Sequence, residues 1–154
     1  MIGQPIDDNV FINIENDYYK RLFDGRLCPS RKNKDADTDA EEPDDKRYTF
    51  KRFWELFVYA AILGFSQHKP LPIKKVYKPF RWMNIGHHHQ KNLLIMAVAK
   101  YGSFEILKDK DHLKKHIEEY ANRGLSLIDQ EIKNNPSAFA DLETFTLRIL
   151  SDLK

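Results

Sequence analysis

The middle of the chain holds side chains whose types and spacing suit a polyanion. Lys69, Lys74, Lys75, Lys78 and Arg81 interleave with Tyr77, Phe80 and Trp82. Ammonium and guanidinium groups neutralise phosphates, and an exposed ring such as Tyr77 can stack on a base or lie against a sugar. Phe80 and Trp82 also allow a second role, as anchors that tie this arm to a core while the lysines keep it soluble. The surroundings are unusual. From Leu56 to Phe104 there is no Asp or Glu, although the chain carries 23, and the stretch holds seven Lys or Arg and four of the six His. It therefore carries a charge of +7. The remainder, with 18 basic and 23 acidic residues, carries −5, behind a formal net charge of only +2. Charge segregated in this way can recruit nucleic acid or an acidic partner surface even when the molecule is nearly neutral.

Other residues invite chemistry less strongly. His87-His88-His89 suggests a metal, because imidazole binds zinc well. A site needs three or four converging donors, and adjacent helical positions point about 100° apart, so at most two of the three could share an ion. His112 and His116 share a helix face at i, i+4, but the carboxylate-bearing sequence of a metalloprotease is missing. A polar helix start for the first group and a solvated face for the second account for both. Cys28 stands near Arg31 and Lys32, which would lower its pKa. No base motif accompanies it, so a structural thiol is the simpler expectation. Glu118-Glu119 and the Asp141/Glu143 pair read as solvated helix faces. Neither GxGxxG nor GxxxxGK occurs. On these grounds no catalytic residue, metal ligand or cofactor is assigned.

The elements that must position the arm follow from periodicity. Val10, Ile12 and Ile14 alternate with other residues, as in a short strand. Asp17 precedes a short helix over Tyr18–Phe23, which Asp24-Gly25 ends with a turn. Residues 30–46 hold Asp35, Asp37, Asp39, Glu41, Glu42, Asp44 and Asp45 with no large apolar side chain. Such a segment cannot offset the entropy of ordering it and is expected to be a mobile acidic linker, a flap that could compete for the basic middle or a solvated insertion.

Thr49 suits an N-cap, and Phe50, Phe53, Trp54, Phe57, Ala60, Ala61 and Leu63 follow helical spacing. Leu56, Val58, Tyr59 and Ile62 fill the other side, so this helix belongs at the centre of the fold. Pro70, Pro72 and Pro79 forbid a helix from His68 to Arg81, which predicts an extended arm, with Phe80–Met83 as a candidate strand partner. A buried helix is expected to begin within Asn84–His88, carry Leu93, Leu94, Met96, Ala97 and Ala99, and stop near Tyr101-Gly102. Asp109 or Asp111 can cap a long helix striped with Leu113, Ile117, Tyr120, Ala121, Leu125, Ile128 and Ile132. Gly124, inside it, either kinks it or lets a neighbour approach. Asn135-Pro136 would open a last amphipathic helix with Phe139, Leu142, Phe145, Ile149 and Leu153.

The class is therefore mainly α: a single, compact helical domain of 154 residues with a short extended or β arm and a disordered acidic loop. One cysteine excludes an intramolecular disulfide and fits a reducing compartment. Residues 1–14 lack the basic start and long apolar run of a secretory signal. The longest uncharged apolar stretch, Leu56–Gln67, spans 12 residues, short of the roughly 20 a membrane helix requires. A cytoplasmic protein is expected.

Three segments together resemble a known family. They are Thr49-Phe50-Lys51 through Tyr59-Ala60-Ala61-Ile62-Leu63-Gly64-Phe65, then Pro79-Phe80-Arg81-Trp82, then Ile117-Glu118-Glu119-Tyr120-Ala121-Asn122-Arg123-Gly124-Leu125. Their order is similar to that of the DNA phosphorothioation (Dnd) system-associated protein 4 family, over Thr49 to about Ile128. The resemblance implies a place beside bacterial systems that replace a non-bridging phosphate oxygen with sulfur and restrict unmarked DNA, and it carries over no catalytic residue. The expectation is a non-enzymatic accessory protein of a modification, restriction and antiphage defence system. It would bind DNA backbone or a partner subunit through Lys69, Lys74, Lys75, Tyr77, Lys78 and Arg81, without a cofactor. Two alternatives remain: a small metal-dependent nuclease using His87–His89, and a structural subunit that forms a homodimer through its last helix.

Overall fold

The computed structural model describes residues 4–30, 48–66 and 69–135. The acidic run of residues 31–46, the Asp141/Glu143 pair and the expected last helix lie outside them. Strand β1 (Phe11–Glu15) leads into α1 (Asn16–Tyr18), which continues as a π-helical turn over Tyr19–Phe23. Helix α2 (Phe53–Ser66), strand β2 (Val76–Arg81), helix α3 (His87–Tyr101) and the long helix α4 (Lys110–Asn134) follow. Short 3-10 turns at Trp82–Asn84 and Phe104–Lys108 flank α3. The class is mainly helical with one small antiparallel sheet, β1 against β2.

Helix α2 is apolar nearly all round and is buried accordingly: Leu56, Phe57, Ala60 and Ala61 are fully covered. It starts at Phe53, later than the Thr49 cap would place it, because the Phe50 N–H is bound to the Leu27 carbonyl at 2.9 Å and the chain before it is held in a loop. Its main partner is α4, whose stripe of Leu113, Ile117, Tyr120, Ala121, Leu125 and Ile128 is buried as the spacing predicts. Asp109 caps α4 by accepting the His112 N–H at 3.1 Å.

The two helices touch backbone to backbone. A Cβ at Gly64 would run into the Tyr120 carbonyl, and one at Gly124 into the Ala60 carbonyl. Gly124 is thus a point of close approach, the second of its two expected roles. Phe65 stacks on Tyr120 across the same crossing, with ring centroids 4.7 Å apart. The Ala-Ala-x-Leu-Gly-Phe and Glu-Tyr-Ala-Asn-x-Gly-Leu segments are therefore the two sides of one helix–helix contact.

Helix α3 corrects an expectation. It begins at His87 and ends with Gly102 in the left-handed conformation at φ +88°, as the sequence suggests. It buries only Leu93 and Ala97; Ala99 is exposed, and Ile95 is 66% exposed. It lies on the surface of the α2–α4 pair rather than within it. Among the described residues, no helix is long and apolar enough to cross a membrane.

Candidate nucleic-acid interface

The basic arm is an extended segment tied down along its backbone. The Lys69 carbonyl accepts from Arg123 Nε at 3.2 Å, and the Leu71 and Pro72 carbonyls accept from Asn122 Nδ2 at 3.0 and 3.2 Å. The Leu71 N–H donates to the Glu119 carbonyl at 3.0 Å. Further on, the Glu15 carboxylate accepts the N–H groups of Lys74 and Lys75, at 3.3 and 2.7 Å. Prolines deprive this stretch of regular pairing, so α4 and the end of β1 supply the partners its backbone needs.

Strand β2 then pairs with β1, not with Phe80–Met83 as the sequence suggested: Phe80 is itself in the strand, opposite Ile12, and Trp82 already belongs to the 3-10 turn. The register slips between Ile12 and Ile14, so that Lys78 and Pro79 together oppose Asn13. Pro79 has no N–H to give to a ladder, which makes this the natural place for a bulge. Glu118 from α4 covers this part of β1, with Oε2 accepting the Asn13 N–H at 2.6 Å and pairing with Lys114 at 2.7 Å. Far from being on a solvated face, Glu118 is 4% exposed. Burial raises its pKa, more than Lys114 and the Asn13 N–H lower it.

The side chains divide by role. Phe80 and Trp82 are buried anchors. Lys69, Lys74, Lys75, Lys78 and Arg81 are exposed, and none forms an ion pair among the described residues. From Lys74 to Arg81 the chain can span at most about 25 Å. Tyr77 is 39% exposed, with its ring resting on Tyr19 at a centroid distance of 4.1 Å.

A cleft of about 530 Å³ opens at the Arg81 end of β2. Arg81 meets Lys51 and Arg52 there, brought in by the loop that leads into α2, beside Phe11, Trp54 and Met83. The Arg81 guanidinium lies over the Phe11 ring, 4.8 Å from its centroid. Sequence reasoning did not pick out Lys51 and Arg52. The available signal was a dibasic pair only a few residues before the acid-free stretch begins.

The remaining candidates divide: the histidine run forms the polar helix start expected of it and Cys28 is a structural thiol, while His116 and the direction of the Cys28 pKa depart from expectation. His87, His88 and His89 are exposed, and His89 lies beside the Trp54 ring at 5.4 Å. Among the described residues no group of three or more His, Cys, Asp or Glu is gathered as a metal site requires. His116 is not on a solvated face: it is half-buried among Phe65, Tyr101 and Tyr120. Cys28 is fully buried, and its Sγ donates to the Arg52 carbonyl at 3.6 Å. Burial, and secondarily the Glu55 charge, push its pKa above the usual thiol range, the reverse of the lowering expected from Arg31 and Lys32.

A family model for DNA sulphur modification system-associated protein 4 matches residues 32–150, more than three quarters of the chain. The chain belongs to this family. The match extends beyond Thr49–Ile128 at both ends, taking in most of the acidic run and much of the segment after Asn135. No curated protein and no solved structure matches the chain. Membership associates this protein with a DNA sulphur modification system. Within the family member, the two helical segments that carried the resemblance do more than build a core. Asn122 and Arg123 of α4 hold the arm, while Gly124 and Gly64 set the crossing that α4 makes with α2.

Proposed function

We propose that this family member is an accessory protein that holds the DNA backbone for the modification and restriction machinery of a bacterial cytoplasm, using the arm from Lys69 to Arg81. One observation carries this reading. Lys74, Lys75, Lys78 and Arg81 are exposed along a segment whose backbone hydrogen bonds are made elsewhere in the fold, and none is ion-paired among the described residues. Cations fixed in a row lose little further backbone entropy on meeting a row of phosphates, so the gain from releasing counterions is retained. Lys69 extends the row, and the solvent-facing part of Tyr77 can lie against a sugar.

The test is a variant with Lys74, Lys75, Lys78 and Arg81 all replaced by Ala. Duplex affinity at low salt should fall at least about a hundredfold. Each lysine substitution should change stability by no more than about 0.5 kcal/mol, and Arg81→Ala, which also gives up the Phe11 ring, by about 0.5–1 kcal/mol. Intact DNA binding in a destabilised variant would reject this division of labour. If the wild-type protein ignores DNA but retains an acidic subunit after nuclease treatment, the same cations face a protein partner instead.

A further inference from the structure

The cleft at the Arg81 end of β2 combines two chemistries that no simple ion or apolar ligand satisfies together. Lys51, Arg52 and Arg81 supply three positive charges, and no carboxylate lines it among the described residues. Phe11 and Met83, on the same walls, are 41% and 52% exposed, and the half-buried Trp54 borders them. Isolated exposed apolar side chains are ordinary. Two of them beside three cations in one concavity form a combined surface. Arg81 is held against the Phe11 ring, so one phosphate-binding group and part of the apolar wall are fixed relative to each other.

An inorganic anion would meet the cations and leave Phe11 and Met83 wet. A plain apolar molecule would leave the cations without partners. A nucleotide carries both an anionic phosphate and a flat ring, and a base laid on a side-chain ring is worth about 1–3 kcal/mol. In a duplex the base faces are hidden in the stack, so only an unpaired nucleotide presents ring and phosphate to the same cleft. At about 530 Å³ the cleft lies within the range of small-molecule sites.

We propose that this cleft receives one unpaired nucleotide of a DNA strand, with its phosphate on Lys51, Arg52 and Arg81 and its base against Phe11, Met83 and Trp54. The inference deepens the DNA-holding function and rests on it, adding preference for single-stranded over duplex DNA.

The experiment compares a single-stranded oligonucleotide with a duplex of equal length. It uses the wild-type chain, the cleft variant Lys51→Ala/Arg52→Ala and an arm variant Lys74→Ala/Lys75→Ala/Lys78→Ala. The cleft variant should bind single strands about tenfold more weakly, with a salt slope flatter by about 1.4 for two lost contacts, and bind the duplex within about twofold of wild type. Single strands should change the tryptophan fluorescence of the wild type but not of Trp54→Phe, where only the buried Trp82 remains. Met83→Glu, which adds a negative charge at an exposed position, should repeat the selective loss if the double variant is poorly folded. Equal loss on both DNAs, or no loss on either, overturns the cleft assignment. An arm variant that binds duplex as wild type does overturns the arm reading instead, and a single-strand loss confined to the cleft variant would then still stand. Binding of neither DNA by the wild type, with capture of an acidic protein, overturns both.

Discussion

At the scale of single residues, Glu118 has the most consequential environment. Its carboxylate serves the Asn13 N–H and Lys114 at once while nearly sealed from water. Removing it would leave the Asn13 N–H without its acceptor, a loss of about 1–3 kcal/mol, while the part-exposed Lys114 can turn to water. Glu118→Ala should therefore lower unfolding free energy by that amount in a urea titration, whereas a solvated glutamate would register almost nothing. His116 supplies a pH dependence. Burial first, and His112 second, hold its pKa below 6.5, against a hydrogen bond with the Ala97 backbone, and its buried Nε2 has no partner among the described residues. The unfolded chain then binds the proton more readily than the folded one. This contribution is intact above about pH 6.5 and is lost as pH falls from there through the folded-state pKa. The gap in melting temperature between wild type and His116→Gln should accordingly shift on acidification across that window. A gap that stays constant would mean that His116 does not titrate differently on folding.

At the scale of elements, the α2–α4 crossing holds the basic arm in place. Asn122 and Arg123, which fix the arm, sit on the turn of α4 that bears Gly124, and Gly124 meets the α2 backbone at Ala60. A methyl group at either Gly64 or Gly124 meets a carbonyl rather than a flexible side chain, so the helices must separate. Overpacking of a core usually costs about 1–3 kcal/mol, and a backbone clash belongs at or above the top of that range. Gly64→Ala and Gly124→Ala should each lose at least about 3 kcal/mol, measured by denaturation. A comparison with Gly102→Ala separates causes: that site has open space around it, and only its left-handed φ is strained, for about 1–2 kcal/mol. Near-neutral Gly64→Ala would mean that the helices do not touch there.

At the scale of the whole molecule, charge and fold are arranged to different ends. The acid-free stretch contributes Leu56, Phe57, Ala60, Ala61, Phe80, Trp82 and Leu93 to the core and leaves the arm's cations exposed, with Glu15 bound to the arm's backbone and Asp111, Glu118 and Glu119 of α4 lining a hollow beside Ile73 and Val76. If four of these cations meet phosphates on a duplex, log affinity should fall against log salt with a slope of about −3.6. Fluorescence anisotropy across a salt series measures it. A slope near zero would dissociate binding from the arm.

Pattern made part of this arrangement legible. The burial of Ile12 and Ile14, the α4 stripe with its Asp109 cap, the stop at Gly102 and the nearly all-apolar α2 follow from local periodicity and capping chemistry. Charge segregation is likewise a property of the chain itself. Three things were decided only by folding. Helix α3 has enough apolar residues to look buried, but burial depends on what covers a face, and little covers this one. Water ordinarily keeps a glutamate such as Glu118 at the surface, and the basic neighbours of Cys28 suggested a lowered pKa; in both cases the neighbouring elements removed solvent and raised the pKa instead. Lys51, Arg52 and Arg81 lie some thirty positions apart in the chain, and only the packing of β2 against the start of α2 gathers them into one cleft. Periodicity reports on neighbours three or four residues away, whereas a site is made by contacts between distant segments, which the tertiary fold alone specifies.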